Sequence, residues 1–504
     1  MTPAVRSFSQ AIPLVVLVVL CFTFLQPLHP ASAQTAPPST ASGNDPVKVG
    51  RWSDVFTWPV VAIHAHLLPN GTVLSWERKD EVLTTETYTW DPATGKFEKH
   101  FNEFASVFCS GHTFRADGTL LVAGGHHHHD FVGEKTTTFY DDKTGKWSRG
   151  QDMNAGRWYP TTCMLSNGEI LVIGGSIEGG QSYSINTLPQ VWQTTGTYRD
   201  LTNADGEILP LYPWMLLAPD GRAFYTGPET RTLFLDTSGT GTWGGGPSSR
   251  FGYRDYGSAV MYEPGKILIV GGGENPPTAT AEVVDLNASP REWKPTGDMA
   301  FARRQLNATL LPDGTVLATG GSSAPGFNNA NGSVLAAELW DPATGKWTTL
   351  ASMSVRRLYH STALLLPDGR VLTAGGGMPP SPEGGDTDHR DAQIYEPPYL
   401  FRGARPTIGS APEHVGYGET FTVKTPDAAG VAQVTWIRLS SVTHAFNQSQ
   451  RFNRLEFSRE KDGLRVTAPA DPKLCPPGHY LLFLLNGSGV PSVAKIVRIS
   501  APSY

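Results

Sequence analysis

The chain has 504 residues, a net charge of −6 with both signs mixed, and 39% hydrophobic and 10% aromatic residues. That balance leaves no basic footprint for nucleic acid. It also excludes a disordered or collagen-like chain, despite 54 Gly and 40 Pro. Abundant turn formers between short apolar runs favour an all-β protein.

The chain opens with Arg6, the apolar run "AIPLVVLVVLCFTFL" and the small-residue site "ASAQ". This pattern predicts a signal peptide over 1–33, cleaved after Ala33, and hence a secreted, periplasmic or extracellular protein. An uncleaved membrane anchor is the alternative, because the run is near the lower limit for a spanning helix. No second run is long enough to span, so the mature chain is expected to have no membrane span. Cys21 leaves with the peptide. Cys109, Cys163 and Cys475 remain, which allows one disulfide at most and leaves an odd thiol. Residues 34–49 are rich in Pro, Ser and Thr and read as a flexible leader. The remaining length is too great for most single cores and predicts one large domain plus a small one.

From residue 50 a repeat sets in. "LLPNGTVLSW", "FRADGTLLVAGG", "MLSNGEILVIGG", "LAPDGRAFYTGP", "YEPGKILIVGGG", "LLPDGTVLATGG" and "LLPDGRVLTAGGG" each read as strand, tight turn, strand. The turn glycines are Gly71, Gly118, Gly168, Gly221, Gly265, Gly314 and Gly369. "YTWDPATGKFEKH", "TFYDDKTGKWSRG" and "ELWDPATGKWTTL" add a second hairpin, giving about four strands per unit. A period near 50 residues with a Gly-Gly pair predicts a seven-bladed kelch-type β-propeller over 50–402. The rival WD40 propeller lacks its Gly-His signature here. After "YEPPYLFRGARPTI" the repeat stops. Short alternating strands then predict an immunoglobulin-like β-sandwich over 403–504.

Four segments carry residues capable of chemistry: Cys109 in "FCSGH", Tyr159 in "GRWYPTT", Tyr359 and His360 in "RRLYHSTALLLPDG", and His444 in "SVTHAFNQSQRF". The first three precede their unit's turn by nine or ten positions, so in a propeller they can converge at one end of the axis. Two imidazoles and two phenol oxygens form a set suited to Cu(II). A cysteine beside a tyrosine in such a site could be oxidised with it to a thioether. Taken singly, Tyr359-His360 reads as packed aromatics and Cys109 as a small buried hydrophobe.

These motifs resemble the galactose oxidase and glyoxal oxidase family of copper radical oxidases, a kelch propeller with a C-terminal early-set domain. The resemblance runs from the first unit to "NGSGVPSVAKIVRIS", and the Arg-Trp-Tyr-Pro form is similar to the glyoxal oxidase type. It implies a Cys109–Tyr159 thioether that holds the radical. Tyr159, Tyr359, His360 and His444 would be the ligands of one copper ion, with Tyr359 as base. The implied reaction oxidises a small aldehyde or primary alcohol with O2 and releases H2O2. The chain departs from galactose oxidase at Ile177, which stands where a tryptophan shields the thioether. Trp158 and Trp214 are candidate replacements. His126 to His129 read as a solvated loop, and Asn447, Gln448 and Arg451 as residues that orient ligands. Cys163 is expected to be inert, and Cys475 has no expected partner. A monomer is expected. The alternative function is a kelch propeller that binds a cell-surface polymer or protein without redox chemistry.

Overall fold

The computed structural model describes residues 45–500, except 80–82, 178–183, 380–383 and 385–386. The expected signal peptide and nearly all of the leader lie outside the described residues. Among the described residues, helix is confined to one short turn at Pro46–Val49 and four 3-10 turns.

Among the described residues, seven small antiparallel sheets follow one another along the chain. The second sheet shows why. Gly111–Phe114 pairs with Leu120–Ala123 around Asp117 and Gly118. Gly118 sits at φ +96, which an L side chain adopts only with strain, and Asp117 accepts the Thr119 N–H at 2.9 Å. Thr137–Asp141 and Lys146–Arg149 complete the sheet through the second hairpin. The third, fourth, fifth and sixth sheets repeat this four-strand order. The seventh, Ser361–Leu365, Val371–Gly375 and Asp391–Glu396, takes its outer strand from Arg51–Trp52 near the start of the described chain. First strands are neighbours from the second sheet to the fourth and from the fifth to the seventh, and Ser361–Leu365 lies beside His64–Leu67 of the first sheet.

A buried arginine braces four of the sheets. Arg157, Arg254, Arg303 and Arg357 each donate to the first carbonyl of their own Gly-Gly pair, at Gly174, Gly271, Gly320 and Gly375, all at 2.9 Å. The repeated glycines are therefore fixed by a repeated guanidinium.

Beyond residue 410 two more sheets form. One orders His414–Val415, Lys495–Ile499, Gly478–Asn486, Val431–Arg438 and Phe452–Leu455; the other holds Thr420–Lys424, Gly463–Thr467 and Phe457–Glu460. They enclose a separate core that includes Val423, Trp436, Leu464, Tyr480 and Val497. One hairpin leaves this region. Ser441–Thr443 pairs with His64–Leu67 as an extra strand of the first sheet, with His64 opposite Thr443. Its return strand Phe446–Asn447 lies against Ser258–Glu263 and Arg304–Leu310. His444 is thereby carried in among the seven sheets.

Candidate metal centre

The site is built on one backbone device. Cys109, Tyr159, Tyr212, Tyr256, Gln305 and His360 all have positive φ, between 48° and 65°. Each stands nine residues before its sheet's turn glycine. Left-handed non-glycine residues cost about 1–3 kcal/mol and persist only where the surroundings enforce them. Here backbone hydrogen bonds between neighbouring sheets supply the enforcement. Tyr159 N–H donates to Cys109 O at 2.8 Å, Tyr212 N–H to Tyr159 O at 2.8 Å, and Gln305 N–H to Tyr256 O at 2.7 Å. His444, at φ 48 in its hairpin turn, joins from the C-terminal region.

These sockets bring Cys109, Tyr159, Tyr359, His360 and His444 together. The hydroxyls of Tyr159 and Tyr359 are in direct hydrogen-bond contact. Tyr159 Oη lies 2.9 Å from His444 Nε2, and Cys109 Sγ lies 4.0 Å from that nitrogen. The rings of Tyr359 and His360 stack at 3.7 Å, and those of His360 and His444 meet edge-on at 4.5 Å. His360 Nδ1 lies 2.9 Å from Gly377 O, an acceptor only, so Nδ1 carries the proton and Nε2 is bare. Thr443 Oγ1 donates to Ile63 O at 2.9 Å and so accepts from His444 Nδ1 at 2.6 Å, which leaves that Nε2 bare as well. His360 Nε2 is buried without a partner.

The electrostatics follow from burial. It pushes His360 down to about 3. It also holds His444 well below the usual imidazole range, with His360 and His112 adding to the effect. Both imidazoles are neutral and can offer a lone pair. Burial raises the Tyr159 and Tyr359 phenols well above their ordinary value. Without a cation they stay protonated. Two imidazole nitrogens and two phenol oxygens thus form an N,O donor set that fits Cu(II). No cluster of three His, Cys, Asp or Glu suited to a metal occurs among the described residues.

A cavity of about 610 Å³ opens onto Tyr159 and Tyr359. Its walls include Phe108, Phe131, Trp158, Leu211, Phe327 and Met378. Arg78, Asp130 and Asp388 add charge, and Arg78 pairs with Asp130 at 3.1 Å.

Other expected residues fall differently. Trp158 stacks on Tyr159 at 3.9 Å with 22° between the rings, and Phe131 packs against Trp158 at 4.7 Å. Trp214 packs elsewhere, against Phe446 and Gly227. Ile177 stays at the edge of the third sheet, bonded through its backbone to Gly133 and Ser184. His126 to His129 do not form a solvated loop. His126–His127 pairs with His129–Gly133 in a two-stranded hairpin, and His126 is buried against Phe108 because the hairpin folds back over that ring.

Asn447 and Gln448 brace the hairpin that carries His444. Asn447 Oδ1 accepts Ser441 N–H, and Gln448 Oε1 accepts Thr162 N–H, both at 3.0 Å. Arg451 instead ties the segment to Lys473 O at 2.9 Å. The three cysteines are unbridged. Burial raises Cys163 to about 11 and Cys475 to about 12, so both thiols are inert at neutral pH.

Sequence reasoning missed Tyr212, Tyr256 and Gln305. Their signal was the same nine-residue offset, and "LYPW" even repeats the Tyr-Pro of "WYPT".

An all-β scaffold around a buried donor set of two neutral imidazoles and two phenols is the class of protein this geometry defines. The comparisons agree. Residues 77–381 match the family model "Glyoxal oxidase N-terminus", and residues 405–499 match "Galactose oxidase-like, Early set domain". A galactose oxidase of Gibberella zeae is 30% identical over 501 residues, covering 90% of this chain and 71% of the relative. The aldehyde oxidase GLOX of Vitis pseudoreticulata is 30% identical over 485 residues, covering 86% of this chain and 90% of the relative. A solved fungal alcohol oxidase of the AA5 family, in complex with copper, superposes with a TM-score of 0.81 at 28% identity, over 90% of this chain and 100% of its own. The chain belongs to the glyoxal oxidase and galactose oxidase family, and it is an oxidase.

Proposed function

We propose that this protein is a secreted copper radical oxidase that converts aldehydes, or primary alcohols, with O2 and releases H2O2. One observation carries the reading. Two bare imidazole nitrogens, His360 Nε2 and His444 Nε2, and two phenol oxygens converge beside a buried cysteine. Tyr159, Tyr359, His360 and His444 would hold one copper ion, and Cys109 would be joined to Tyr159 as a thioether. The seven sheets are the blades of a kelch-type propeller over 50–402, followed by an immunoglobulin-like early-set sandwich over 403–504. Residues 1–33 act as a cleaved signal peptide.

Bound there, copper would supply a second one-electron store and polarise the substrate oxygen. The chain supplies the rest. Tyr359 Oη takes the proton of the substrate hydroxyl, or of an aldehyde hydrate's hydroxyl. The oxidised Tyr159–Cys109 unit takes a hydrogen atom from the neighbouring carbon. The balance for an aldehyde hydrate is RCH(OH)2 plus O2 to RCOOH plus H2O2. Trp158, stacked on Tyr159, excludes water from the radical face and takes the shielding role that Ile177 cannot. The apolar walls favour a substrate with an apolar body over a sugar, whose hydroxyls would each need a partner.

The test is to express residues 34–504 without copper, add copper and air, and measure the mass of the Cys109 and Tyr159 peptides. A linked pair lighter by two hydrogens, with peroxide released from aldehydes, is expected. Separate unmodified peptides after full loading would overturn the reading and leave a binding propeller.

A further inference from the structure

A second buried cluster lies beneath the candidate centre, outside its donor set. His64, His66, His112 and Ser441 are all fully buried. Their hydrogen bonds have one consistent direction. Cys109 N–H donates to His64 Nε2 at 3.1 Å, so this nitrogen is bare and His64 Nδ1 carries the proton. His64 Nδ1 then donates to His112 Nε2 at 3.0 Å. His112 Nδ1 donates to Ser441 Oγ at 2.6 Å, and Ser441 Oγ donates onward to His112 O at 3.1 Å. His66 Nδ1 meets the same hydroxyl at 2.9 Å. Both His64 and His66 stack on Trp76, at 4.9 and 4.5 Å.

The place of His64 among the bonds between sheets gives this chain its meaning. Tyr159, Tyr212 and Gln305 each send their N–H to the carbonyl of the preceding left-handed residue. The first sheet has no left-handed residue at the corresponding position, so Cys109 finds an imidazole there instead of a carbonyl. At the far end Ser441 begins the strand that carries His444. One directed chain thus runs from the backbone of Cys109 to the hairpin of His444.

We propose that His64 is a positioning residue for the self-processing of the Cys109–Tyr159 pair. Its bare Nε2, oriented through His112 and Ser441, holds the left-handed Cys109 backbone so that Sγ faces the Tyr159 ring. The proposal rests on the copper radical reading. In the step it serves, Sγ bonds to a ring carbon ortho to the Tyr159 hydroxyl, and the S–H and ring C–H bonds break. Two protons and two electrons pass to O2, which becomes H2O2. His64 exchanges no proton. It fixes geometry.

The test follows the rate of the two-hydrogen mass loss after copper and air reach the full mature chain. His64→Phe keeps the stack on Trp76 and removes the acceptor. His64→Gln returns an oxygen at the distance of Nε2 from the backbone. We expect His64→Phe to link about tenfold more slowly or worse, and His64→Gln to stay within about threefold of the parent. Ser441→Ala, which keeps both imidazoles and frees the chain's direction, should slow linkage a few-fold. It serves as the test if His64→Phe does not fold. Linkage of His64→Phe at the parent rate would overturn the proposal, as would a Gln variant as slow as the Phe one, or Ser441→Ala at the parent rate. A parent that never links would instead overturn the oxidase reading on which the proposal stands.

Discussion

The third and sixth sheets are built alike and carry different cargo. In each, a buried arginine reaches the first Gly-Gly carbonyl, Arg157 to Gly174 and Arg303 to Gly320. In each, the third strand offers an oxygen to an incoming backbone N–H: Gln190 to Asn154, and Glu338 to Ala300. The register is the same, since Gln190 faces Val172 and Glu338 faces Ala318, both two residues before the glycine. The difference is charge. Arg303 pairs with Glu338 at 2.7 Å with both side chains buried, while Arg157 donates only to carbonyls and to Asn154. Burial lowers both guanidiniums, Arg157 down to about 10, and Glu338 offsets part of it at Arg303. The sheet without the acid is the one that presents Tyr159, and the sheet with it presents Gln305. The brace tolerates either chemistry, so the cationic backing of Tyr159 is a local choice and not a demand of the fold.

Five substitutions and one change of pH test this contrast, taken from the largest effect down. Tyr159→Phe should reduce peroxide release at least about a thousandfold, because on the proposed reading the Tyr159–Cys109 pair holds the oxidising equivalent. Tyr256→Phe, which alters the left-handed residue of the fifth sheet, should cost about tenfold or less. Equal losses in an oxidase assay would mean that the third sheet is not special.

Acid should act on the histidines and spare the braces. His64, His66, His112, His360 and His444 are held below their ordinary value by burial, His112 and His360 down to about 3. As pH falls through about 6.5 the unfolded chain binds protons that the folded chain refuses, so stability drops, by up to about 1.4 kcal/mol per pH unit for each imidazole, until the folded values are reached. Urea midpoints of the copper-free protein at pH 7.5 and 5.0 would show it, and a flat profile would contradict it.

Glu338→Gln makes the sixth sheet resemble the third. It keeps the bond to Ala300 N–H but strands the Arg303 charge, and should cost about 3 kcal/mol in urea unfolding. Gln190→Ala, which removes only neutral bonds, should cost about 1 kcal/mol. A stability effect of similar size is expected for Trp158→Phe. The stack on Tyr159 survives with less area, so stability falls by about 1 kcal/mol. The lifetime of the oxidised state, followed by its visible absorption, should shorten about two- to fivefold.

Much of this was legible because the repeat has a fixed pitch. The Asp-Gly and Asn-Gly turns marked the first hairpin of nearly every sheet, and Cys109, Tyr159 and His360 stood at one offset from them. The left-handed backbone at that offset was not legible, since nothing in "WYPT" or "LYHS" favours positive φ; long-range hydrogen bonds impose it. Tyr359 shared the expected site with His360, but only His360 occupies the repeated position. The buried face of His126 was hidden because a run of histidines looks solvated until a second strand folds it onto Phe108. The choice of Trp158 over Trp214 needed ring positions that spacing cannot supply.

The repeated left-handed position has a consequence for how reactivity can be rewired. Six backbone positions share one conformation at one offset from their turn glycines, yet they hold cysteine, three tyrosines, glutamine and histidine. They behave like interchangeable mounts on a turret. A single substitution at Tyr212, Tyr256 or Gln305 changes the reagent presented there, with the strands behind it untouched. New chemistry in this scaffold is therefore one residue away from the old.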